Sequence, residues 1–407
     1  MPAAPAVAAP TGAATARSPL LSWLAVIAIT LGIFSIVTTE ILPIGLLTAI
    51  AADFRISDGT AGLMMTLPGV LAAVAAPTVT VATARFDRRL MLCALTLLLA
   101  LADFLAAAAP FYGLVLFSRV LVGITIGGFW SIGVGLADRL VRPESAGRAT
   151  AVIFSAVPLG SVLGVPAGTF LGDLAGWRTA FLAMGALTTA VSVMLALLVP
   201  ALPAVRPTRL TALRALLRGV HTRCALLTTF LIVLAHFGAY TYVTPFLRHV
   251  TQVGPGGITV FLLAYGAAGV LGNFLGGAAV GRYPRATFAL AACAVSGATL
   301  LLPVCGRGPA WAVALLVVWG VAYGAVPVSS QTWFARSAPR SPEAASVLFT
   351  ASFQATLSLG ALAGGAVVDR ASPSAVMTLG GLTAALMAVA VWWHRAGGRE
   401  WPERGQA

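Results

Sequence analysis

Apolar residues run along this chain in blocks long enough to cross a bilayer, and the charged residues fall almost entirely in the gaps between them. A hydrocarbon core of about 30 Å takes roughly 20 residues of helix. Twelve such blocks are predicted, at 21–50, 60–82, 90–109, 112–136, 149–171, 177–199, 224–247, 257–280, 286–304, 310–334, 344–368 and 374–393. Backbone polar groups inside a bilayer must be satisfied within their own segment, so the predicted class is an all-α membrane protein. The longest internal gap, 200–223, opens Pro200-Ala-Leu-Pro-Ala-Val-Arg-Pro and continues as a basic amphipathic run. It separates a six-helix bundle at 21–199 from a second at 224–394, leaving a lead at 1–20 and a tail at 395–407. The lead is rich in Ala, Pro and Thr. It reads as a disordered cytoplasmic segment and not a cleavable signal, because a full-length span follows directly.

Composition agrees with this pattern. Of 407 residues, 59% are hydrophobic and 9% charged, against roughly 25% charged in soluble domains. The net charge is +13 and all 25 basic residues are arginine, a bias that follows a GC-rich genome better than selection for guanidinium chemistry. A pI near 11.1 would suit nucleic acid, but these arginines lie in short loops, where they signal topology. No nucleic-acid partner is therefore expected. Loops on the N-terminal side hold 19 arginines and the opposite loops 5, which orients both termini toward the cytoplasm of a cell membrane. Cys93, Cys224, Cys293 and Cys305 show no CxxC spacing, so neither a metal site nor a disulfide framework is expected.

The two halves repeat with an offset of 197 residues, which pairs Arg85 with Arg282, Gly123 and Gly127 with Gly320 and Gly324, and Gly168 with Gly365. A shared offset at separate places reads as duplication. Two six-helix bundles related by pseudo-two-fold symmetry make a transporter with its site at the repeat interface, alternating as one half rocks against the other.

Three charges inside the first bundle are the leading candidates for its chemistry. Arg119 lies about seven residues below the outer surface, roughly 10 Å, Glu40 roughly 15 Å and Asp103 roughly 9 Å. Two acids and one base at similar depth can neutralise one another. Burial disfavours an ionised carboxyl and a nearby arginine favours it, so a balanced pair can change protonation with conformation, as proton coupling requires. The alternative is a static ion pair that fixes helix packing, and Asp103 is also placed near enough to the headgroups to be solvated. Arg119 maps by the same offset onto Leu316 and has no twin. That asymmetry assigns proton handling to the first half and most substrate contacts to the second.

Other candidates are conformational or line a cavity. The loop after span two carries Arg85, Asp87, Arg88 and Arg89; it is a topology anchor, and a latch if its charges meet neighbouring helix ends in one state only. Span five holds Pro158, Gly160, Gly164, Pro166 and Gly168. Glycines four apart let a neighbouring helix approach closely, and this groove is expected at the junction of the halves as a hinge and leak barrier. The predicted cavity gathers Trp130, His236, Tyr240, Tyr265, Asn273, Tyr323, Gln331 and Gln354, a set suited to flat rings and hydroxyls. His236 is either a packing hydrogen-bonder or a proton carrier, Asn273 and Gln354 can equally bond across helices, and Tyr242 reads as part of an interfacial belt. There is no Gly-x-x-x-x-Gly-Lys loop, nucleophile–base pair or dinucleotide fingerprint. The chain is thus expected to be no enzyme and to need no cofactor, with a proton gradient as its energy source.

The motifs Thr38-Thr-Glu-Ile-Leu-Pro43, Arg85-Phe-Asp-Arg-Arg89, Arg119-x-x-x-Gly123 and Gly160-Ser-Val-Leu-Gly-Val-Pro-Ala-Gly168 resemble those of the major facilitator superfamily, twelve-span drug/proton antiporter type. The resemblance covers roughly 20–394. Gly127-Gly-Phe-Trp-Ser131, Trp177-Arg178 and Val326-Pro-Val-Ser-Ser-Gln-Thr-Trp333 are most similar to the arabinose-efflux-like group, and particularly to purine ribonucleoside efflux proteins. The resemblance implies a major facilitator fold and proton-coupled efflux of a drug, nucleoside or sugar. The chain is expected to work as a monomer in the lipid bilayer. Uptake through the same architecture is the alternative, and a non-transporting receptor a remote one.

Overall fold

The computed structural model describes residues 18–82, 86–133, 136–203, 219–337 and 342–396. The described chain is helical, without strands. Its long helices are α1 (Pro19–Phe54), α2 (Leu63–Ala82), α3 (Arg88–Ala107), α4 (Tyr112–Gly133), α5 (Ala146–Ala175), α6 (Trp177–Leu198), α7 (Val220–Tyr240), α8 (Pro255–Val280), α9 (Pro284–Cys305), α10 (Pro309–Ser337), α11 (Pro342–Arg370) and α12 (Pro373–Ala396). Eleven helical segments are long and apolar enough to cross a membrane, and α12 carries the further apolar stretch Pro373–Val389. Large exposed apolar side chains such as Leu197, Phe274 and Leu290 cover the outside, as a lipid-facing surface requires. The lead at 1–17, most of the linker (204–218) and the end of the tail lie outside the described residues.

Local sequence explains the ends and breaks. Ser18 caps α1 by accepting from the Leu21 N–H at 3.3 Å, with proline at the first helical position. Asp87 caps α3 by accepting from the Arg89 N–H at 2.8 Å. The span predicted as continuous over 224–247 instead breaks after Tyr240, and a separate short helix, Val243–His249, follows. Pro245 accounts for the break. It has no N–H for the Thr241 carbonyl, and its ring presses on that same group.

The helices form two bundles whose packing repeats six helices on. In the first, α1 packs on α5 and α6, α2 on α4, and α3 on α4 and α6; in the second, α7 packs on α11 and α12, α8 on α10, and α9 on α10 and α12. Small residues explain the closest pairs. A Cβ on Gly127 would lie 2.7 Å from the Ala72 carbonyl of α2, and Gly320 and Gly324, 197 positions after Gly123 and Gly127, press still more closely on the Tyr265 and Gly269 carbonyls of α8. The bundles meet along two seams, α2 with α11 and α5 with α8. Each seam turns on one glycine of a symmetry-related pair. A Cβ on Gly69 would stand 2.6 Å from the Gln354 carbonyl, and one on Gly266 would stand 2.8 Å from Val162 Cα.

The span-five glycines do not lie where the sequence suggested. Gly160, Gly164 and Gly168 face Val37, Thr38 and Leu42 of α1, inside their own bundle. Across the seam, α8 supplies the small residue and α5 supplies Val162. The reason is periodicity: positions four apart keep one helix face, and on α5 that face is turned to α1.

Candidate functional site

Arg119 is fully buried, and its guanidinium bonds to main chain. Nε donates to the Met64 carbonyl at 3.0 Å, one terminal nitrogen to the Thr39 carbonyl at 3.0 Å, and the other to the Glu40 carbonyl at 2.9 Å. Two of these acceptors are orphans made by proline. The Thr39 carbonyl would bond the N–H of residue 43 and the Met64 carbonyl that of residue 68, and both residues are proline. In a bilayer a neighbouring helix must make good such a loss. The second bundle shows the converse. The 197-residue offset places Tyr240 where Pro43 stands, Tyr265 where Pro68 stands, and fully buried Leu316 where Arg119 stands. Without the prolines there is no orphan and no arginine.

The expected mutual neutralisation of three charges is therefore not direct: among the described residues no ion pair joins Arg119 to Glu40 or Asp103. Thr39 links the group instead. Its carbonyl holds Arg119, and its hydroxyl donates to Asp103 Oδ2 at 3.1 Å. Asp103 is 1% exposed and its Oδ1 has no partner, so it is not solvated at the headgroups. Helix α3 turns it inward onto α1. Glu40 points away from Arg119, toward the other bundle, where Gln354 Nε2 of α11 donates to its Oε1 at 2.9 Å.

On the same level the second bundle presents an aromatic wall. The His236 ring stacks on Tyr323 at 3.3 Å and on Tyr240 at 5.0 Å between centroids, and Tyr240 stacks on Tyr265 at 4.5 Å. Trp319 closes the back edge-on, its indole N–H donating to His236 Nδ1 at 3.2 Å. An accepting Nδ1 makes this the neutral imidazole carrying its proton on Nε2. Two adjoining cavities lie between the bundles. The smaller, about 130 Å³, is lined by His236, Tyr240, Tyr265, Asn273 and Tyr323. The larger, about 380 Å³, is lined by Glu40, Trp130, Tyr323, Gln331 and Gln354, a size within the usual range of ligand pockets. All eight cavity residues named from the sequence line one or both.

The cavity is closed at the loop end opposite the termini. Asp369, at the end of α11, reaches across the seam to accept from Ser57 Oγ at 2.7 Å and from the Gly59 N–H at 2.9 Å. Thr244 Oγ1 donates to the Ile44 carbonyl at 2.7 Å, and Arg248 to Thr48 at 3.4 Å. Tyr242 is wholly buried in this closure, its hydroxyl donating to the Ala361 carbonyl at 2.7 Å, so it belongs to no interfacial belt. Sequence reasoning missed this set; a lone acid closing span eleven was the available signal. Toward the termini the larger cavity continues past Trp130, Phe154, Phe334 and Phe349.

The loop after span two is tied within its own bundle. Asp87 caps α3, the Arg88 N–H donates to the Leu202 carbonyl at 2.9 Å, and the Arg89 guanidinium donates to the Ala196 carbonyl of α6. Arg85 lies outside the described residues. Pro158 lines the smaller cavity, and Pro166 is buried within α5.

The family model of the Major Facilitator Superfamily matches residues 23–351. The chain belongs to the major facilitator superfamily. It is a multi-pass membrane transporter, not an enzyme. Among curated proteins it is 34% identical over 356 residues to the Transcription regulatory protein OpdE of Pseudomonas aeruginosa, covering 86% of this chain and 88% of that one. It is 30% identical over 370 residues to the Purine ribonucleoside efflux pump NepI of Escherichia coli O6:K15:H31, covering 91% and 93%. The two names point in different directions, and only the second describes transport. Among solved structures, an inward-facing, occupied bacterial homolog of the human lysosomal transporter Spinster aligns with a TM-score of 0.77 at 17% identity, covering 95% of this chain and 100% of that one. A POT family transporter in complex with 5-aminolevulinic acid gives 0.74 at 12% identity, covering 93% and 96%. At these identities the structures speak to the fold alone.

Proposed function

We propose that this transporter exports a small organic molecule in exchange for protons, by alternating access, with both termini in the cytoplasm. The observation that carries the reading is Glu40. It is a buried carboxyl that lines the larger cavity and is hydrogen-bonded across the seam by Gln354. A titratable group on the seam couples its proton to the motion of one bundle against the other. Arg119 holds the backbone beneath Glu40, and Asp103 is a second buried carboxyl one hydrogen bond removed. Closure opposite the termini, with a cavity running toward them, is the inward-facing state under the orientation the arginines favour. The aromatic wall supports a flat-ringed substrate, and the kinship with ribonucleoside efflux pumps supports a purine ribonucleoside as first probe. The proposed working unit is a monomer in the cell membrane, with no cofactor.

The experiment is flux of labelled inosine in inverted vesicles under an imposed pH gradient. Accumulation should follow the gradient and collapse with an uncoupler, and Glu40→Gln should bind inosine yet fail to concentrate it. Flux indifferent to the gradient sinks proton coupling. Unaltered active transport by the variant removes Glu40 from it.

A further inference from the structure

Four rings of the second bundle stand in one column, Tyr323, His236, Tyr240 and Tyr265, with successive centroids 3.3, 5.0 and 4.5 Å apart and neighbouring planes within 25° of parallel. The two inner rings have both faces covered by their neighbours, so they turn edges toward the smaller cavity. Those edges are polar. Trp319 fills His236 Nδ1, which leaves the Nε2–H directed away from it. This N–H and the hydroxyls of Tyr240 and Tyr265 make no hydrogen bond among the described residues. All three side chains are more than nine-tenths buried, yet these atoms are not sealed off as the Tyr323 hydroxyl is. They open on the cavity they line. Half-buried Asn273 lies on the same face of α8 as Tyr265 and adds an amide that bonds to no protein group among the described residues.

Unpaired polar atoms on a buried surface are satisfied by water or by a ligand that replaces it. Chemistry and size restrict that ligand. The imidazole offers a donor, while the phenols and the amide each donate and accept. A hydroxyl does both as well, so a cluster of hydroxyls matches this edge better than a group that only donates or only accepts. An engineered apolar cavity of roughly 150 Å³ holds one benzene. The smaller cavity, about 130 Å³, therefore takes one small ring, and a fused flat ring needs the larger one, about 380 Å³. Half-buried Trp130 and Phe154 offer apolar rings there.

We propose that the smaller cavity is a sugar subsite, in which His236, Tyr240, Tyr265 and Asn273 bind the ring hydroxyls of an uncharged glycoside whose flat ring lies in the larger cavity. Tyr323 lines both cavities and marks the border where the two parts of the ligand join. Trp319 is a positioning residue, because its indole N–H fixes which imidazole nitrogen carries the proton. The ligand is uncharged because no arginine lines either cavity, and the one charged lining residue, Glu40, is an acid that disfavours phosphate. This deepens the export reading above and rests on it for the choice of a purine as the flat ring.

Calorimetric titration of the purified full-length protein with a ligand series tests this. Inosine should bind roughly 10- to 100-fold more tightly than dideoxyinosine, which lacks both ring hydroxyls and leaves their buried partners unpaired. Tyr240→Phe combined with Tyr265→Phe deletes two hydroxyls that hold nothing in the protein, so thermal unfolding without ligand should be unchanged. The preference of this variant for inosine over dideoxyinosine should shrink. Equal affinity for the two compounds in the unaltered protein, or an undiminished preference in the variant, overturns the inference and leaves the exchange reading standing. Inosine monophosphate binding as tightly as inosine overturns the assignment of an uncharged ligand. Para-nitrophenyl β-riboside against para-nitrophenol repeats the comparison without a purine. Binding of that riboside but not of inosine sinks the purine and upholds the sugar subsite, and binding of neither overturns the subsite.

Discussion

Arg119→Leu distinguishes a structural from an electrostatic reason for an arginine inside the first bundle. The substitution removes three donors from fully buried carbonyls at Met64, Thr39 and Glu40. The Glu40 carbonyl has a non-proline residue, Ile44, four positions on, whereas those of Thr39 and Met64 face Pro43 and Pro68. Leaving a buried acceptor unpaired costs about 1–3 kcal/mol, so these two orphans amount to roughly 2–6 kcal/mol. That is enough to lower the unfolding temperature in detergent clearly. The decisive variant restores the missing donors: Pro43→Ala and Pro68→Ala in the Arg119→Leu background return an N–H to each orphan, as Tyr240 and Tyr265 do opposite Leu316. The triple variant should regain most of the lost stability, and thermal unfolding followed by tryptophan fluorescence measures it. If it is no more stable than Arg119→Leu alone, the arginine is not there to satisfy proline-freed carbonyls. If its gradient-driven flux also returns, the charge of Arg119 is not needed for coupling.

Asp369→Ala removes two hydrogen bonds that close the end opposite the termini. Asp369 is exposed, so each is discounted to about 0.5–1.5 kcal/mol, together a roughly 5- to 150-fold shift toward the open state. Spin-label distances between Phe111→Cys and Ala371→Cys, with native cysteines replaced, should lengthen; an unchanged distribution refutes the closure. Gly266→Val drives a side chain against Val162 Cα, 2.8 Å from where its Cβ would be. It should cost about 1–3 kcal/mol by overpacking and slow transport, read as thermal stability and initial rate, and normal values for both would show that the α5–α8 seam tolerates separation. Trp319→Phe deletes the donor to His236 Nδ1 and should cost about 1–3 kcal/mol by leaving a buried acceptor unpaired. Thermal unfolding equal to that of the unaltered protein would refute the pairing.

The order of spans, the all-helical class and the duplication were legible in the chain alone. Twenty-residue apolar blocks leave helices as the only single-segment way to satisfy buried backbone, and a constant offset of 197 survives any uncertainty in span ends. The cavity residues were legible for a related reason. Polar side chains inside apolar spans are too costly to face lipid, so Glu40, His236, Asn273 and Gln354 had to turn inward. Which neighbour each would meet was not written in any one span. Spacing along α5 showed that its glycines share a face, but their facing α1 depends on how α5 is rotated within the bundle. Depth placed Arg119 beside Glu40 and Asp103, yet the guanidinium bonds to carbonyls that two distant prolines vacate. Asp369 and Ser57 are 312 positions apart, and only the meeting of the bundles brings them together. Helix rotation and seam register are set by packing summed over many side chains, and no local pattern encodes that sum.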